Sequence, residues 1–224
     1  MKSIIRIIPS LITIANLTCG LIVIFFNPEY GFYFILLGAF FDLWDGLAAR
    51  LLNAQSELGK QLDSLADLVT FCIAPAFLLF HTIEEPYNII CLVIPITGAL
   101  RLAKFNISED QSYYFKGLAT PASGFFFTGI YIAYNSISNV PDILLFFLIL
   151  IACLLNVSSI RMFSIKGLKK DPYTKYYLVV LSIIFIAVAL INWKLTLMIS
   201  IGIYLVLSLG YHVQMKKIVA QAKI

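Results

Sequence analysis

Long apolar runs separated by short polar segments follow one another along the whole chain. A helix needs about 20 apolar residues to cross the hydrocarbon core of a bilayer, so each run predicts one membrane-spanning helix. Proline and acidic residues stand near the proposed ends, where helices commonly stop. The predicted spans are residues 8–26, 31–52, 61–82, 87–106, 119–136, 142–161, 175–191 and 195–214. The expected fold is an all-α, polytopic transmembrane bundle of about eight spans that forms a single domain over residues 1–224.

Composition supports a membrane protein and removes several alternatives. Hydrophobic residues make up 61% of the 224 residues, and charged residues only 12%. Soluble domains typically carry roughly 25% charged residues. This balance excludes a disordered chain, a nucleic-acid-binding domain and an ordinary soluble enzyme. We therefore expect membrane lipids, and no nucleic acid, among the partners. The apolar stretch up to Phe26 lacks a small-x-small cleavage site and is expected to remain as the first span.

The basic residues predict the orientation of the bundle. Of the 16 Lys and Arg residues, all but Lys194 fall on the same side as both termini in the eight-span arrangement. By the positive-inside rule, both termini are expected in the cytoplasm and the protein in the cell membrane. The basic run from Arg161 to Lys175 has two open interpretations. It could contact acidic lipid headgroups, or it could reflect only the enrichment of Lys and Arg on the cytoplasmic side.

Four carboxylates lie where a membrane helix should be apolar. Asp42 and Asp45 belong to the second predicted span, and Asp63 and Asp67 to the third. Each costs on the order of 3 kcal/mol at the bilayer centre, so they need partners. Helical spacing places each pair on one face, and two such helices joined by a short loop would bring all four together. Oxygen ligands without His or Cys favour Mg²⁺ or Mn²⁺; buried salt bridges or the proton relay of a transporter remain alternatives.

Small residues accompany the acids in a fixed pattern. Asp42-Leu43-Trp44-Asp45-Gly46-Leu47-Ala48-Ala49-Arg50 is followed after eight residues by Gly59, then by Asp63 and Asp67 at intervals of four. Small side chains permit close helix packing or the approach of a large ligand. This string resembles the signature of the CDP-alcohol phosphatidyltransferase family, D-x2-D-G-x2-A-R-x8-G-x3-D-x3-D, at every specified position.

The resemblance implies a six-helix catalytic core over about residues 5–162, with additional C-terminal helices at about 175–214. Family members transfer the phosphatidyl group of a CDP-linked lipid to an alcohol and release CMP. The resemblance implies two divalent cations, Mg²⁺ or Mn²⁺, on Asp42, Asp45, Asp63 and Asp67, with Asp67 as the general base. It also implies a homodimer. The residues expected around the CDP-lipid are Asp45, Gly46, Ala49, Arg50 and Gly59, together with Thr13 and Asn16 of the first span. For Thr13 and Asn16, hydrogen bonding between membrane helices is an equally open interpretation.

The acceptor alcohol must be inferred outside this signature. Gly98-Ala99-Leu100-Arg101-Leu102-Ala103-Lys104-Phe105-Asn106 and Phe115-Lys116-Gly117-Leu118-Ala119-Thr120-Pro121 resemble integral-membrane phosphatidylserine synthases. This resemblance implies CDP-diacylglycerol and L-serine as substrates. Arg101 and Lys104 could hold the serine carboxylate, and Asn106 could accept from its ammonium.

Three alternatives stay open at this point. Glycerol 3-phosphate or an inositol phosphate would also attract Arg101 and Lys104, and the positive-inside bias alone accounts for basic residues at this position. The alternative of a different class is a cation-coupled transporter. Transporters often contain internal repeats, and the two halves of this sequence show none.

Overall fold

The computed structural model describes residues 7–26, 31–107, 115–137, 140–162 and 172–221. The helices in these ranges are α1 (Ile7–Phe25), α2 (Gly31–Leu51), α3 (Glu57–Leu68), α4 (Ala74–Phe80), α5 (Val93–Ile107), α6 (Thr120–Tyr134), α7 (Asp142–Val157), α8 (Pro172–Ile191) and α9 (Thr196–Gln221). A π-helical turn, Val69–Ile73, joins α3 to α4. The 3-10 segments Tyr87–Leu92 and Trp193–Leu195 precede α5 and α9. Two short strands, β1 (Phe115–Lys116) and β2 (Arg161–Met162), pair antiparallel.

Every predicted span coincides with helical structure, so the predicted all-α membrane bundle is confirmed. Within the described ranges, six helical segments are long and apolar enough to cross a membrane: Ile7–Phe25, Gly31–Leu51, Glu57–Phe80, Tyr87–Ile107, Thr174–Ile191 and Thr196–Val213.

Two predicted helix boundaries were wrong. The third helix begins at Glu57 instead of residue 61, because Ser56 caps it by accepting a 3.0 Å hydrogen bond from the Gly59 amide. The sixth ends at Val157 instead of residue 161, where the chain turns into β2.

The fifth and sixth predicted spans are shorter than a bilayer-crossing helix. They correspond to α6 with 15 residues and α7 with 16, which at 1.5 Å per residue gives about 22 to 24 Å. Helix α6 lies inside the bundle, and its buried residues are Thr120, Ser123, Gly124, Phe126, Phe127, Thr128, Gly129, Ile130 and Ala133. Irregular backbone is tolerated at membrane depth where protein covers it. A central helix can therefore be shorter than one that faces lipid.

Four helices pack closely around the π-helical turn. Glycines from α1, α2, α5 and α6 surround it, namely Gly20, Gly38, Gly98 and Gly124. A Cβ at Gly20 would lie 2.8 Å from the Thr70 Cα, and one at Gly124 would lie 2.7 Å from the Phe71 Cβ. Backbones pack at these distances only where no side chain intervenes. The turn begins two residues after Asp67, so these contacts determine where the end of the acidic helix lies in the bundle.

The last helix packs on the centre of the bundle. A Cβ at Gly129 of α6 would lie 2.6 Å from the Met198 backbone nitrogen of α9, so the two helices cross in close contact. Helix α8 contributes mostly exposed residues, including Val179, Ile183 and Leu190. Apolar side chains on the outside of a membrane bundle face lipid tails. Helix α9 is thus joined to the interior, while α8 lies at the periphery.

Candidate active site

Three of the four signature aspartates meet between α2 and α3. One carboxylate oxygen from each of Asp42, Asp63 and Asp67 lies within 4.8 Å of the other two. Asp67 is buried, and its Oδ1 has no hydrogen-bond partner among the described residues. Like charges at this spacing repel one another strongly unless a cation or protons lie between them. The arrangement is therefore one that a divalent cation would stabilise.

The eight-residue spacer of the signature builds the turn that brings the acids together. Asn53 adopts a left-handed conformation with φ 49°. The Ala54 amide donates a 2.9 Å hydrogen bond to the Ala49 carbonyl and ends α2. Asparagine is one of the few residues that favours this conformation at a helix end. Ser56 then starts α3, so the chain reverses within a few residues and returns the second pair of acids beside the first.

Asp45 lies next to the three-carboxylate cluster, on the side of α1. Its carboxylate lies beside the hydroxyl of Thr13, whose Oγ1 donates a 3.0 Å hydrogen bond to the Pro9 carbonyl. Asp45 is buried, and its Oδ2 has no hydrogen-bond partner in the part of the chain that the structure describes. Sequence spacing alone predicted a cluster of all four acids. The structure places Asp45 between that cluster and α1.

Asn16 of α1 is fully buried at 0% exposure, and both atoms of its amide group lack a hydrogen-bond partner among the described residues. Burying such a group unpaired costs about 1 to 3 kcal/mol. Asn16 and Thr13 are three residues apart and lie on the same face of α1. Asn16 therefore offers a donor and an acceptor at the edge of the acidic region.

Gly46 and Gly59 differ from the glycines around the π-helical turn. Among described atoms outside its own helix backbone, a Cβ at Gly46 would meet only the Arg50 Nη2, at 3.6 Å, which is an ordinary contact. A Cβ at Gly59 would lie 3.1 Å from the Ser56 Oγ. Gly46 and Ala49 are half-buried, and no described atom of another helix fills the space beside Gly46. Arg50 is exposed at the rim, and its Nε donates a 2.8 Å hydrogen bond to the Gly46 carbonyl.

Arg101 of α5 approaches the acidic region near Asp67. It is 9% exposed, lies within electrostatic range of Asp67, and donates a hydrogen bond from Nη1 to the Thr120 Oγ1 of α6. Its Nε has no hydrogen-bond partner among described residues. Arg101 is therefore a buried cation that is held near the last acid of the signature.

The other two residues predicted for serine have different surroundings from those of Arg101. Lys104 is exposed. The Asn106 Nδ2 donates hydrogen bonds to the Ser64 Oγ at 2.9 Å and the Gln61 Oε1 at 3.3 Å. Its backbone carbonyl accepts from the Lys60 Nζ at 3.2 Å. Asn106 thus ties α5 to α3 at the mouth of the site. Its role in serine binding, and that of Lys104, stays a prediction.

Comparison with known proteins agrees with this geometry. The model of the CDP-alcohol phosphatidyltransferase family matches residues 6–134. The chain belongs to the CDP-alcohol phosphatidyltransferase family. It is 42% identical to a CDP-diacylglycerol--serine O-phosphatidyltransferase of Bacillus subtilis over 138 residues, 58% of this chain and 78% of the relative. A Helicobacter pylori protein of the same name is 30% identical over 212 residues, 88% of this chain and 87% of the relative. One from Methanocaldococcus jannaschii is 37% identical over 126 residues, 56% of this chain and 60% of the relative.

Membership confirms the family predicted from the signature and identifies the chain as a phosphatidyltransferase of phospholipid biosynthesis. The aspartate cluster fits the divalent metals that this family generally uses, because three carboxylates converge and every donor is a hard oxygen. Asp42, Asp63 and Asp67 are the residues that could hold such an ion.

Several buried polar residues lie outside the family signature and were missed in the sequence. They are Asn156 of α7 and Thr196, Ser200 and Ser208 of α9. The interval of four between Thr196 and Ser200 was a readable signal, since it places two hydroxyl groups on one face of an otherwise apolar helix.

Proposed function

We propose that this phosphatidyltransferase transfers the phosphatidyl group of CDP-diacylglycerol to the hydroxyl of L-serine and releases CMP. The observation that carries the proposal is the position of Asp67, which belongs to the carboxylate cluster and also lies near the buried guanidinium of Arg101. A general base must contact both the reacting phosphate region and the incoming alcohol. The names of the relatives from Bacillus subtilis and Helicobacter pylori support serine as that alcohol.

The donor site consists of the surfaces of α1, α2 and the first turn of α3 beside the acids. Gly46, Ala49 and Gly59 leave room for the cytidine and diphosphate, and Arg50 supplies a positive charge at the rim. Thr13, Asn16 and Asp45 supply polar groups on the α1 side. The unpartnered amide of Asn16 supports contact with the nucleotide, because a ligand would satisfy a group that the protein leaves unpaired.

The proposed reaction is a direct displacement at the phosphatidyl phosphorus. Asp67 takes the proton of the serine hydroxyl, and the serine oxygen forms a bond to phosphorus. The bond between phosphorus and the CMP oxygen breaks, and CMP leaves with the electron pair. Arg101 holds the serine carboxylate, so that the hydroxyl lies toward Asp67. Lys104 and Asn106 are further candidates at the mouth of this acceptor site.

Asp42, Asp63 and Asp67, with Asp45 beside them, would hold two Mg²⁺ or Mn²⁺ ions. When bound, these ions offset the charge of the diphosphate and stabilise departing CMP. The carboxylates would set the positions of the ions, and they keep this region polar between apolar helices.

The distribution of Lys and Arg supports a site that opens to the cytoplasm. Arg50, Lys60 and Lys104 all lie at the end of the bundle that carries the acids, and the positive-inside rule assigns that end to the cytoplasm. We further propose that residues of about 5–162 form the catalytic core and that the protein works as a homodimer in the cell membrane. Cysteine labelling of Lys60→Cys and Lys194→Cys variants in intact cells tests the orientation, since only position 194 should react from outside.

The decisive experiment measures CMP release by the purified protein with CDP-diacylglycerol and Mg²⁺ or Mn²⁺. Serine, glycerol 3-phosphate and inositol phosphate are supplied in parallel. Release that depends on serine is expected. Release with only another alcohol would overturn serine as the substrate and retain the chemistry. No release with any of the three alcohols would refute the proposed transfer reaction.

A variant at the proposed base tests the mechanism. Asp67→Asn should abolish CMP release while CDP-diacylglycerol still binds, because the amide keeps the shape but cannot accept the proton. Asp142→Asn is the matched control, since Asp142 is a carboxylate in the first turn of α7, at the other end of the bundle. Unchanged turnover in Asp67→Asn would refute its assignment as base.

A further inference from the structure

Asn156 is a buried polar residue that no part of the signature uses. It lies in the last turn of α7 with 2% exposure, and neither Oδ1 nor Nδ2 has a hydrogen-bond partner among described residues. Leaving a buried amide unpaired costs about 1 to 3 kcal/mol, so such groups usually have a ligand or solvent partner. Asn156 is therefore a candidate for contact with a bound polar molecule.

Contacts between α5 and α7 place Asn156 at the level of Arg101. The Tyr87 ring, just before α5, packs against the Phe146 ring of α7 at 6.4 Å. Further along both helices, the side chains of Thr97 and Cys153 are in contact. The two helices therefore run in the same direction. Arg101 comes one turn after Thr97, and Asn156 comes about one turn after Cys153, so both lie at the same depth and on the faces that meet.

The segment Gly117–Thr120 touches both residues. Thr120 accepts the hydrogen bond from the Arg101 Nη1. Gly117 has φ 77°, and a Cβ there would lie 2.5 Å from the Asn156 backbone oxygen. The Leu118 amide also donates a 3.3 Å hydrogen bond to the Leu155 carbonyl. This short segment therefore brings the ends of α5 and α7 together at the start of α6.

Helix α9 adds a third side to this region. Tyr204 packs against the cluster of Leu118, Met162 and Leu205, and lies within electrostatic range of Arg101. Ser208, one turn further along α9, is fully buried. A membrane helix presents hydroxyl groups inward where a polar region exists to receive them. The polar face of α9 thus reaches the level of Arg101.

We propose that Asn156 and Tyr204, together with Arg101, line the binding pocket of the acceptor alcohol, with Asn156 as its second polar contact. This inference rests on the proposed function for the identity of the acceptor. The Asn156 amide provides one donor for the serine carboxylate and one acceptor for its ammonium. Arg101 supplies the charge, and the Tyr204 ring closes the pocket on the α9 side. Helix α9, which lies outside the family signature, thereby contributes to the choice of alcohol.

Steady-state kinetics of Asn156→Ala test the pocket. The KM for serine should rise about tenfold or more, which corresponds to about 1.4 kcal/mol, while the KM for CDP-diacylglycerol stays within about twofold of wild type. Asn156→Asp keeps the size of the side chain and places a negative charge opposite the serine carboxylate, so it should raise the serine KM further. Tyr204→Ala removes the ring that closes the pocket on the α9 side, and a smaller rise of about threefold is expected.

Ser200→Ala is the matched control. Ser200 is also buried with an unpartnered hydroxyl among described residues, and it precedes Tyr204 by one turn, away from Arg101. Its acceptor KM should equal that of wild type. Gel filtration and the thermal midpoint of each detergent-purified variant establish that it is folded.

The kinetics also separate this proposal from the proposed function. The choice of alcohol by the wild-type protein tests the function. The ratio of acceptor KM between variant and wild type, measured with whichever alcohol supports CMP release, tests the pocket. An unchanged acceptor KM in folded Asn156→Ala and Asn156→Asp would overturn the proposal, as would a parallel rise in the KM for CDP-diacylglycerol.

Discussion

The hydroxyl of Thr70 donates a 2.9 Å hydrogen bond to the backbone carbonyl of Asn16. Thr70 belongs to the π-helical turn that follows Asp67, and Asn16 belongs to α1. This bond ties the helix of the acidic cluster to the helix that carries Thr13 and Asn16. π-helical turns are frequent at functional sites, where they shift the residues that precede them relative to a regular helix. The position of Asp67 therefore depends on packing several residues beyond the signature.

Substitution at Gly38 should destabilise the protein. A Cβ there would lie 2.5 Å from the Thr70 Cγ2 and 2.9 Å from the Asn16 Oδ1. Gly38→Ala forces α2 away from the turn, and overpacking of this kind costs about 1 to 3 kcal/mol. We expect a lower thermal midpoint in detergent, measured by the fluorescence of a thiol-reactive dye. Gly202→Ala is the control, since its nearest described neighbour is the Phe126 Cε2 at 4.0 Å. Equal midpoints for the two variants would contradict the packing role.

Unlike Gly38→Ala, Gly46→Ala should not lower the thermal midpoint. The new methyl meets only the Arg50 Nη2 at 3.6 Å among described atoms outside its own helix backbone, and alanine favours a helix by about 1 kcal/mol over glycine. The thermal midpoint should be unchanged or higher. The KM for CDP-diacylglycerol should rise at least about fivefold if the open space receives the nucleotide. An unchanged KM would show that this space is not part of the donor site.

Removal of divalent metal should stop the reaction. Excess EDTA is expected to abolish CMP release, and Mg²⁺ or Mn²⁺ to restore it. Asp63→Asn removes one charge from the three-carboxylate cluster, so the Mg²⁺ concentration for half-maximal activity should rise about tenfold or more. Asp142→Asn lies in another region and should leave that concentration unchanged. Full activity in EDTA-treated, metal-free protein would refute the metal site.

Thr120→Val should weaken acceptor binding through Arg101. Valine keeps the shape of threonine but cannot accept the hydrogen bond from the guanidinium. A buried donor without its partner loses about 1 to 3 kcal/mol and becomes less well oriented. The serine KM should rise severalfold, and Thr120→Ser should restore it. Thr128→Val is the control on the same helix, because the Thr128 hydroxyl donates its hydrogen bond to the Gly124 carbonyl of its own helix, 2.8 Å away. A matching effect in both variants would indicate a general change in α6.

Much of the fold could be predicted because it depends on local properties of the chain. Hydrophobic length determines the spans. The Ser56 cap and the left-handed Asn53 are equally local features, but they were not used in the prediction, so α3 was expected to begin at residue 61 and not at Glu57. The spacing of Asp42, Asp63 and Asp67 along two helices linked by a tight turn was sufficient to predict their convergence. The length of α6 was not predicted, because hydropathy does not distinguish a lipid-facing helix from one covered by its neighbours.

Sequence by itself determined the membrane class, the helical bundle, the family signature and the face on which each acid lies. Tertiary structure decided that Asp45 turns toward Thr13, that Arg101 lies near Asp67, and that Asn156 and α9 reach the same region. The physical reason is that helix periodicity is set within a few residues. The approach of one helix to another is set by side chains far apart in the chain, such as Gly124 against Phe71 and Gly129 against Met198.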